Sequence, residues 1–175
     1  MIIIVTLEKQ NLKENRKRFQ TEAKNLRQDI SSDIPINHVG STTLPYMYGK
    51  NIIDILIGAN NIEEMEYLTK IIKKHNYYAG SNQSNEYRFF ASRKEETKSG
   101  DYHIHLTLIN SNKYKDFLIL KEYLLKNKEE RKAYSGYKKK ILKSGVYERN
   151  DYKSIKSNYV TALLSRARES IINNK

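Results

Sequence analysis

A glycine-serine turn and a single carboxylate are the first residues whose types and spacing could do chemistry. Gly40, Ser41 and Thr42 follow a short apolar stretch, and Asp54 lies further along, inside Ile-Ile-Asp-Ile-Leu-Ile. Glycine lets the backbone approach a ligand closely. Successive N–H groups, with the hydroxyls of Ser41 and Thr42, can bind a phosphate. These residues predict a phosphate-binding turn, although many Gly-Ser turns bind nothing, and the Gly-Lys-Ser/Thr ending of a Walker loop is missing.

Asp54 is unusual because an ionised carboxylate is costly to bury among apolar side chains without a partner. It must therefore pair with a cation, bind a metal ion, or face a cleft at the end of its strand. Charges kept under such conditions are often functional. Asp54 is predicted to be the catalytic or metal-binding acid, with a structural ion pair to Lys50 or an arginine as the alternative.

His103 and His105 lie two residues apart in an alternating segment, so both side chains should share one face of a strand. Together with Asp54 they could form a three-ligand metal site suited to zinc, manganese or iron. Alternatively, the two imidazoles accept hydrogen bonds from neighbouring groups or contact a substrate phosphate as imidazolium.

Lys50 and Arg88 could add positive charge to the same site. A lysine beside the turn could neutralise a phosphate, and an arginine could bind one with two parallel hydrogen bonds. Either residue could instead pair with Asp54. Two further pairs, Tyr134 with Lys138 and Tyr152 with Lys156, have the spacing of neighbours on one helix face, which suits packing against the core or contact with a ligand.

Apolar periodicity predicts the elements that must position these side chains. Strands are expected over 34–39, 50–58, 86–92 and 102–109, a polar loop over 81–85 and a charged turn over 94–100. Helices are expected over 12–30, 62–75, 112–126, 128–143 and 151–173. This order predicts a single domain with an α/β or α+β core over about 1–111 and a helical C-terminal cap over about 112–175.

Composition narrows the class of protein. The chain has 175 residues, which suits one domain, and no cysteine, which excludes disulfides and thiolate metal sites. No apolar run reaches the roughly 20 residues that cross a bilayer. The apolar start, Met1–Val5, is too short for a secretory signal. A cytoplasmic location without a membrane partner is therefore expected.

The net charge of +12 is unevenly distributed. Residues 1–111 carry 15 Lys and Arg against 13 Asp and Glu, whereas residues 112–175 carry 17 against 7. Such an excess favours phosphate-bearing partners, which include nucleotides, other phosphorylated small molecules and RNA. A solvated, lysine-rich helix surface is the alternative interpretation.

The order of these motifs resembles the GrpB family (UPF0157), a branch of the polymerase-β-like nucleotidyltransferase superfamily. The family pattern around the turn is matched at His38, Gly40, Ser41, Thr42, Pro45, Lys50, Ile52, Ile53 and Asp54, while Tyr46 and Asn51 replace its usual glycine and proline. Further matches are Arg88-Phe-Phe, His103-Ile-His-Leu, Leu120-Lys-Glu-Tyr-Leu and the two Tyr/Lys pairs. The similarity spans nearly the whole chain.

The resemblance implies a minimal nucleotidyltransferase-type mixed β-sheet flanked by helices, with a C-terminal helical extension. It also implies that the Gly40–Thr42 turn holds a nucleoside triphosphate and that Asp54 binds a divalent metal, magnesium or manganese, with zinc as the second choice. In a catalytic version, this metal would bridge phosphate oxygens while the hydroxyl of an unknown acceptor attacks the α-phosphorus.

One departure concerns the acids. Active members of the superfamily place two acids two residues apart on this strand, but Leu56 occupies the partner position here. The usual two-metal assignment is therefore in doubt. Three alternatives to a nucleotidyltransferase follow: a non-catalytic nucleotide sensor, an RNA-binding module that uses the basic C-terminal helices, and a hydrolase with a metal on Asp54, His103 and His105.

Overall fold

A five-stranded mixed sheet forms the centre of the protein. The computed structural model describes residues 4–92 and 101–172. Its strands are β1 (Glu8–Lys9), β2 (Ile36–Val39), β3 (Tyr48–Gly49), β4 (Ile53–Ala59), β5 (Tyr77–Gln83), β6 (Tyr87–Ser92) and β7 (Tyr102–Leu108). Its helices are α1 (Leu12–Leu26), α2 (Ile62–Lys74), α3 (Asn112–Lys126), α4 (Lys128–Lys143) and α5 (Arg149–Ile172), with a 3₁₀ turn at Ser41–Thr43.

The strand order in the main sheet is β2-β4-β7-β6-β5. β4 and β7 run parallel in the middle, and the other neighbours are antiparallel. A separate pair, β1 with β3, ties the N-terminal segment to the residues that precede β4. The mixed sheet with flanking helices confirms the predicted fold class.

One face of the sheet carries the main hydrophobic core. Ile53, Ile55 and Ile57 of β4 alternate with Asp54 and Leu56, as expected for a strand covered on both faces. These isoleucines are fully buried. They pack with residues of α1, α2 and β7, among them Leu26, Met65, Leu68, Ile72, Ile104 and Leu106. α1 and α2 therefore cover this face.

The opposite face carries the polar residues of the predicted site. Asp54 on β4 and His103 and His105 on β7 point to this side, which the C-terminal helices cover. Near Leu56 the face is apolar, where Val39, Leu56 and Tyr114 pack with Phe117 and Leu118 of α3. α4 and α5 pack on α3 and enclose the space above Asp54.

Three helices begin at side chains that accept hydrogen bonds from free backbone N–H groups. Asn11 accepts from Glu14, Asn61 from Glu64 and Ser111 from Tyr114, at 3.2, 2.8 and 3.1 Å. This capping explains why α1, α2 and α3 begin where the sequence predicted. Within the described ranges, no helix combines the length and the apolar character that crossing a membrane requires.

Several boundaries differ from the sequence-based expectation. α1 stops at Leu26 instead of residue 30, and beyond this end the guanidinium of Arg27 donates to the carbonyl of Ile34 at 2.6 Å. β5 was expected to be partly loop. Gly80 within β5 has space only for hydrogen, since an added Cβ would lie 2.4 Å from the ring of Phe89 on β6. The predicted turn over 94–100 lies outside the described residues.

The isoleucines of the core provide a matched test of the fold. Ile55 is fully buried in the central strand, whereas Ile62 is 45% exposed at the start of α2. Ile55→Ala should lower the free energy of unfolding by about 2–5 kcal/mol because it leaves a cavity in the core. Ile62→Ala should change it by less than about 0.5 kcal/mol. Urea denaturation of both variants checks this, and equal losses would contradict the assigned core.

Candidate functional site

The turn after β2 brings the backbone against Asp54. Gly40 has φ +78° and ψ −172°, a conformation that only glycine adopts readily. A Cβ on Gly40 would lie 2.4 Å from Oδ2 of Asp54. Ser41 and Asp54 then line the same cavity. The structure thus brings together the two parts of the site that the sequence placed on separate segments.

Thr42 does not face that cavity. Its side chain is buried, and its hydroxyl lies 2.9 Å from Nε2 of His38, while its carbonyl accepts a hydrogen bond from Asn15. His38 in turn stacks on Phe19, with ring centroids 4.7 Å apart. The prediction that Thr42 contributes to phosphate binding is therefore wrong for its side chain, because these contacts hold it on the α1 side of the turn.

Asp54 is held by two imidazoles. Nδ1 of His103 and Nε2 of His105 each lie 3.3 Å from Oδ1 of Asp54. The second ring nitrogen of His105 lies 2.8 Å from the hydroxyl of Tyr87, which can donate to it. His105 can then donate from Nε2 to the carboxylate as a neutral ring. The alternative in which the histidines accept hydrogen bonds from neighbours matches only the contact of His105 with Tyr87, because toward Asp54 the rings donate.

The pKa of Asp54 reflects these contacts. Burial alone would raise it, but the hydrogen bonds from His103 and His105 outweigh burial and hold the pKa well below the ordinary value of 3.8. The side chain remains about one quarter exposed, toward the cavity. Asp54 is therefore an ionised, solvent-reachable carboxylate at neutral pH.

The donors fit a pair of magnesium ions poorly. Two-metal sites need several carboxylates around the ions, but Asp54 is the single acid among the residues that line this cavity, and Leu56 is fully buried against α3. Within residues 4–92 and 101–172, no group of three or more His, Cys, Asp and Glu is arranged to hold a metal ion. The predicted set of Asp54, His103 and His105 converges on one oxygen, and metal binding there stays a prediction.

Three lysines surround the space next to Asp54. We name this cavity of about 120 Å³ the lysine chamber; it is lined by Ser41, Gly49, Lys50, Ile52, Asp54, His103, Tyr134, Lys138, Tyr152 and Lys156. The amine of Lys138 lies 4.8 Å from the ring centre of Tyr134, and that of Lys50 lies 5.3 Å from that of Tyr152. Among the described residues, none of the three lysines makes an ion pair with a carboxylate.

Burial and neighbouring positive charges lower the pKa values of these amines. Burial, followed by the charge of Lys156, lowers the pKa of Lys138 to about 7. The same two causes lower the pKa of Lys50 to about 8. Burial also lowers the pKa of Lys156. An anion in the chamber would be desolvated together with these amines, which strengthens its attraction to them.

Arg88 lies outside this site. Because side chains alternate along β6, it points to the face covered by α2, where its guanidinium pairs with Glu66 and donates to Thr69 at 2.7 Å. The neighbouring Phe89 points toward the site and contacts the ring of His103. The prediction that Arg88 binds phosphate in the shared cavity is wrong, since the residue lies on the far side of the sheet.

The two Tyr/Lys pairs supply four of the ten residues that line the chamber, although the sequence left their role open. Tyr134 and Lys138 lie on α4, and Tyr152 and Lys156 lie on α5. Both tyrosines are buried, so the pairs pack the helices and line the cavity at once. The sequence signal that could have revealed this role is the spacing of four residues within each pair. On each of the two helices, this spacing places a tyrosine ring and a lysine amine on the same face.

Comparison with known proteins places these features in a family context. The family model described as GrpB protein matches residues 6–166. A UPF0157 protein of Streptomyces coelicolor is 24% identical over 139 residues, which cover 79% of this chain and 71% of the relative. Another UPF0157 protein, from Halalkalibacterium halodurans, is 25% identical over 152 residues, which cover 86% of this chain and 76% of the relative.

Solved structures show the same architecture. The crystal structure of conserved protein GrpB from Enterococcus faecalis superposes with a TM-score of 0.80 at 21% identity, covering 95% of this chain and 99% of that one. The GLD-2/RNP-8 complex superposes with a TM-score of 0.55 at 12% identity, covering 82% of this chain and 54% of that one. At these identities the likeness concerns the fold alone.

Gly40 can be compared with a second glycine whose φ lies in the same range. Gly145 also has a positive φ, +85°, but open space surrounds the position of its Cβ. Gly145→Ala should lower the free energy of unfolding by about 1 kcal/mol, from backbone strain alone. Gly40→Ala should lower it further, because the new methyl group must displace the carboxylate of Asp54. Urea denaturation measures both losses, and equal values would contradict the close approach.

Stability should rise with pH above neutrality. The unfolded chain keeps the proton of Lys138 up to a pKa near 10.5, but the folded protein releases it from about 7. Between these values the unfolded state binds more protons, so the free energy of unfolding increases with pH. Lys138→Met should reduce that rise between pH 7 and 10, and the lowered pKa values of Lys50 and Lys156 account for what remains. Lys132→Met, at an exposed lysine, should keep it, as urea denaturation at several pH values can establish.

Proposed function

From the premise that this chain belongs to the GrpB family, we propose that it binds a nucleotide or another phosphorylated small molecule in the lysine chamber. The observation that carries this proposal is the convergence of Lys50, Lys138 and Lys156 on one cavity without a carboxylate partner among the described residues. Three desolvated amines repel one another, so this arrangement costs stability and gains most when an anion enters.

The proposal assigns a role to each part of the wall. The three amines neutralise the phosphate, and the hydroxyls of Ser41, Tyr134 and Tyr152 can donate hydrogen bonds to its oxygens. Asp54 carries negative charge and repels phosphate, so its role is to orient another part of the ligand. Its Oδ1 is engaged by the two histidines, which leaves Oδ2 to accept a hydrogen bond from a ligand hydroxyl.

Nucleotidyl transfer to an unknown acceptor is the second candidate. The fold and the position of Asp54 beside the Gly40 turn favour it, and a divalent metal on Asp54 would supply the charge that such a transfer needs. The chain offers one acid where a two-metal site needs more, and therefore binding without turnover is the better supported function. A non-catalytic sensor would have this property. RNA binding through the basic C-terminal helices stays a prediction. Two of the lysines that contribute to their positive charge, Lys138 and Lys156, line the lysine chamber.

Calorimetric titration with nucleotides, sugar phosphates and inorganic phosphate tests the binding proposal. At least one phosphorylated compound should bind, and saturation at a hundred times its dissociation constant should stabilise the fold by about 2.7 kcal/mol. Lys138→Met should weaken binding about tenfold or more, because a charge-assisted hydrogen bond is lost. Lys132→Met should leave the affinity unchanged.

Failure of every phosphorylated compound to bind would contradict the proposal, and so would equal weakening by the two lysine substitutions. Lys138→Met removes a buried charge and should therefore fold well, which a thermal melt confirms before the titration.

Turnover separates the two candidates. The protein is incubated with labelled nucleoside triphosphates and magnesium or manganese, and pyrophosphate release is measured. We expect no release above that of an Asp54→Asn variant. Release that depends on Asp54 would establish the transferase candidate instead.

A further inference from the structure

A second cavity lies beside the lysine chamber, on the α3 side of Asp54. We name this space of about 230 Å³ the apolar chamber. Much of its wall is hydrophobic and comes from the 3₁₀ turn region, α3 and α5, through Leu44, Phe117, Leu120, Leu124 and Val160. Lys121 is the charged residue that this wall adds to those of the lysine chamber.

The two chambers are parts of one cleft. Ser41, Asp54, Tyr134 and Lys156 line both of them, so these four residues form the junction. On one side of the junction lie Lys50 and Lys138, and on the other lie the leucines and Phe117. A ligand that crosses the junction meets positive charge at one end and apolar surface at the other.

Aromatic rings mark the apolar chamber. Its wall includes the rings of His105, Phe117 and Tyr134, and the first two have centroids 4.6 Å apart. Rings of this kind favour a flat, unsaturated ligand group, which can stack on one ring or meet the edge of another. A sugar without a base would instead lose hydrogen bonds to water on entering such a space.

We propose that the ligand is a phosphate monoester of an aromatic organic group of about nucleoside size, with the phosphate in the lysine chamber and the aromatic group in the apolar chamber. This inference rests on the proposed function and narrows its ligand class. The ester bond lies at the junction, next to Ser41 and Asp54. Small-molecule sites commonly measure about 300–1,000 Å³, a size that the two chambers reach only in combination.

Four probes separate the contributions of the two ends. Adenosine 5′-monophosphate carries both groups, ribose 5-phosphate lacks the aromatic group, hexyl phosphate replaces it with a flexible chain, and adenosine lacks the phosphate. In calorimetric titrations of the wild-type protein, we expect the monophosphate to bind at least tenfold more tightly than each of the other three.

Two substitutions then assign each end to its chamber. Val160→Phe fills the apolar chamber, so it should lower the affinity for adenosine monophosphate to that for ribose 5-phosphate and leave ribose 5-phosphate binding unchanged. Lys138→Met should lower the affinity for both adenosine monophosphate and ribose 5-phosphate. Ile155→Phe, at a more exposed position of the same helix, is the matched control and should change neither affinity.

The outcomes distinguish this inference from the function on which it rests. If none of these phosphorylated probes binds but another compound of the wider series does, the proposed function stands and the inference fails. If no compound of either series binds, both fail. If ribose 5-phosphate or hexyl phosphate binds as tightly as adenosine monophosphate, phosphate binding in the lysine chamber is supported and the assignment of an aromatic group to the apolar chamber is overturned. Equal weakening of both ligands by Val160→Phe also overturns it. A thermal melt of that variant excludes misfolding as the cause.

Discussion

The hydrogen bonds between one half-buried carboxylate and two imidazoles are the constraint on which the rest of the site depends. β4 and β7 run parallel with Asp54 opposite His103 and Leu56 opposite His105. This register places both rings on the same oxygen and leaves the other oxygen beside the Gly40 turn. A slip of β4 by one residue would turn Asp54 into the hydrophobic core, and the same slip of β7 would turn both histidines there, so the sheet register and the site are specified together.

Around this fixed centre, the C-terminal helices add charge at the expense of stability. Replacing a buried, unpaired amine by an apolar side chain commonly stabilises a fold, yet Lys138 and Lys156 are retained inside the molecule. The Tyr134 ring beside Lys138 offsets part of the desolvation through a cation–π contact. The basic character of the last third of the chain is thus partly an internal property of the cleft, in addition to a property of its surface.

Local patterns predicted much of the fold. Apolar periodicity predicted the starts of α1, α2 and α3, and the alternation of side chains predicted β7. β5 was missed because its pairing depends on Phe89 of another strand, which covers Gly80 and leaves no local signal. Gly40, Ser41, Asp54 and Lys50 could be assigned to one site from the motif. Arg88 and Thr42 could not be placed, because the side of the sheet or turn that a residue faces depends on strand phase and on partners distant in the sequence.

The origin of the three amines has one consequence for motion. Lys50 precedes β4, Lys138 belongs to α4 and Lys156 to α5, so their mutual repulsion pushes two helices away from the sheet. A bound anion would attract all three amines and would therefore hold the two helices against the sheet. If the cleft holds an anion, as proposed, α4 and α5 are held to the sheet more firmly, and their amide hydrogens would exchange with solvent more slowly in the loaded protein than in the empty one.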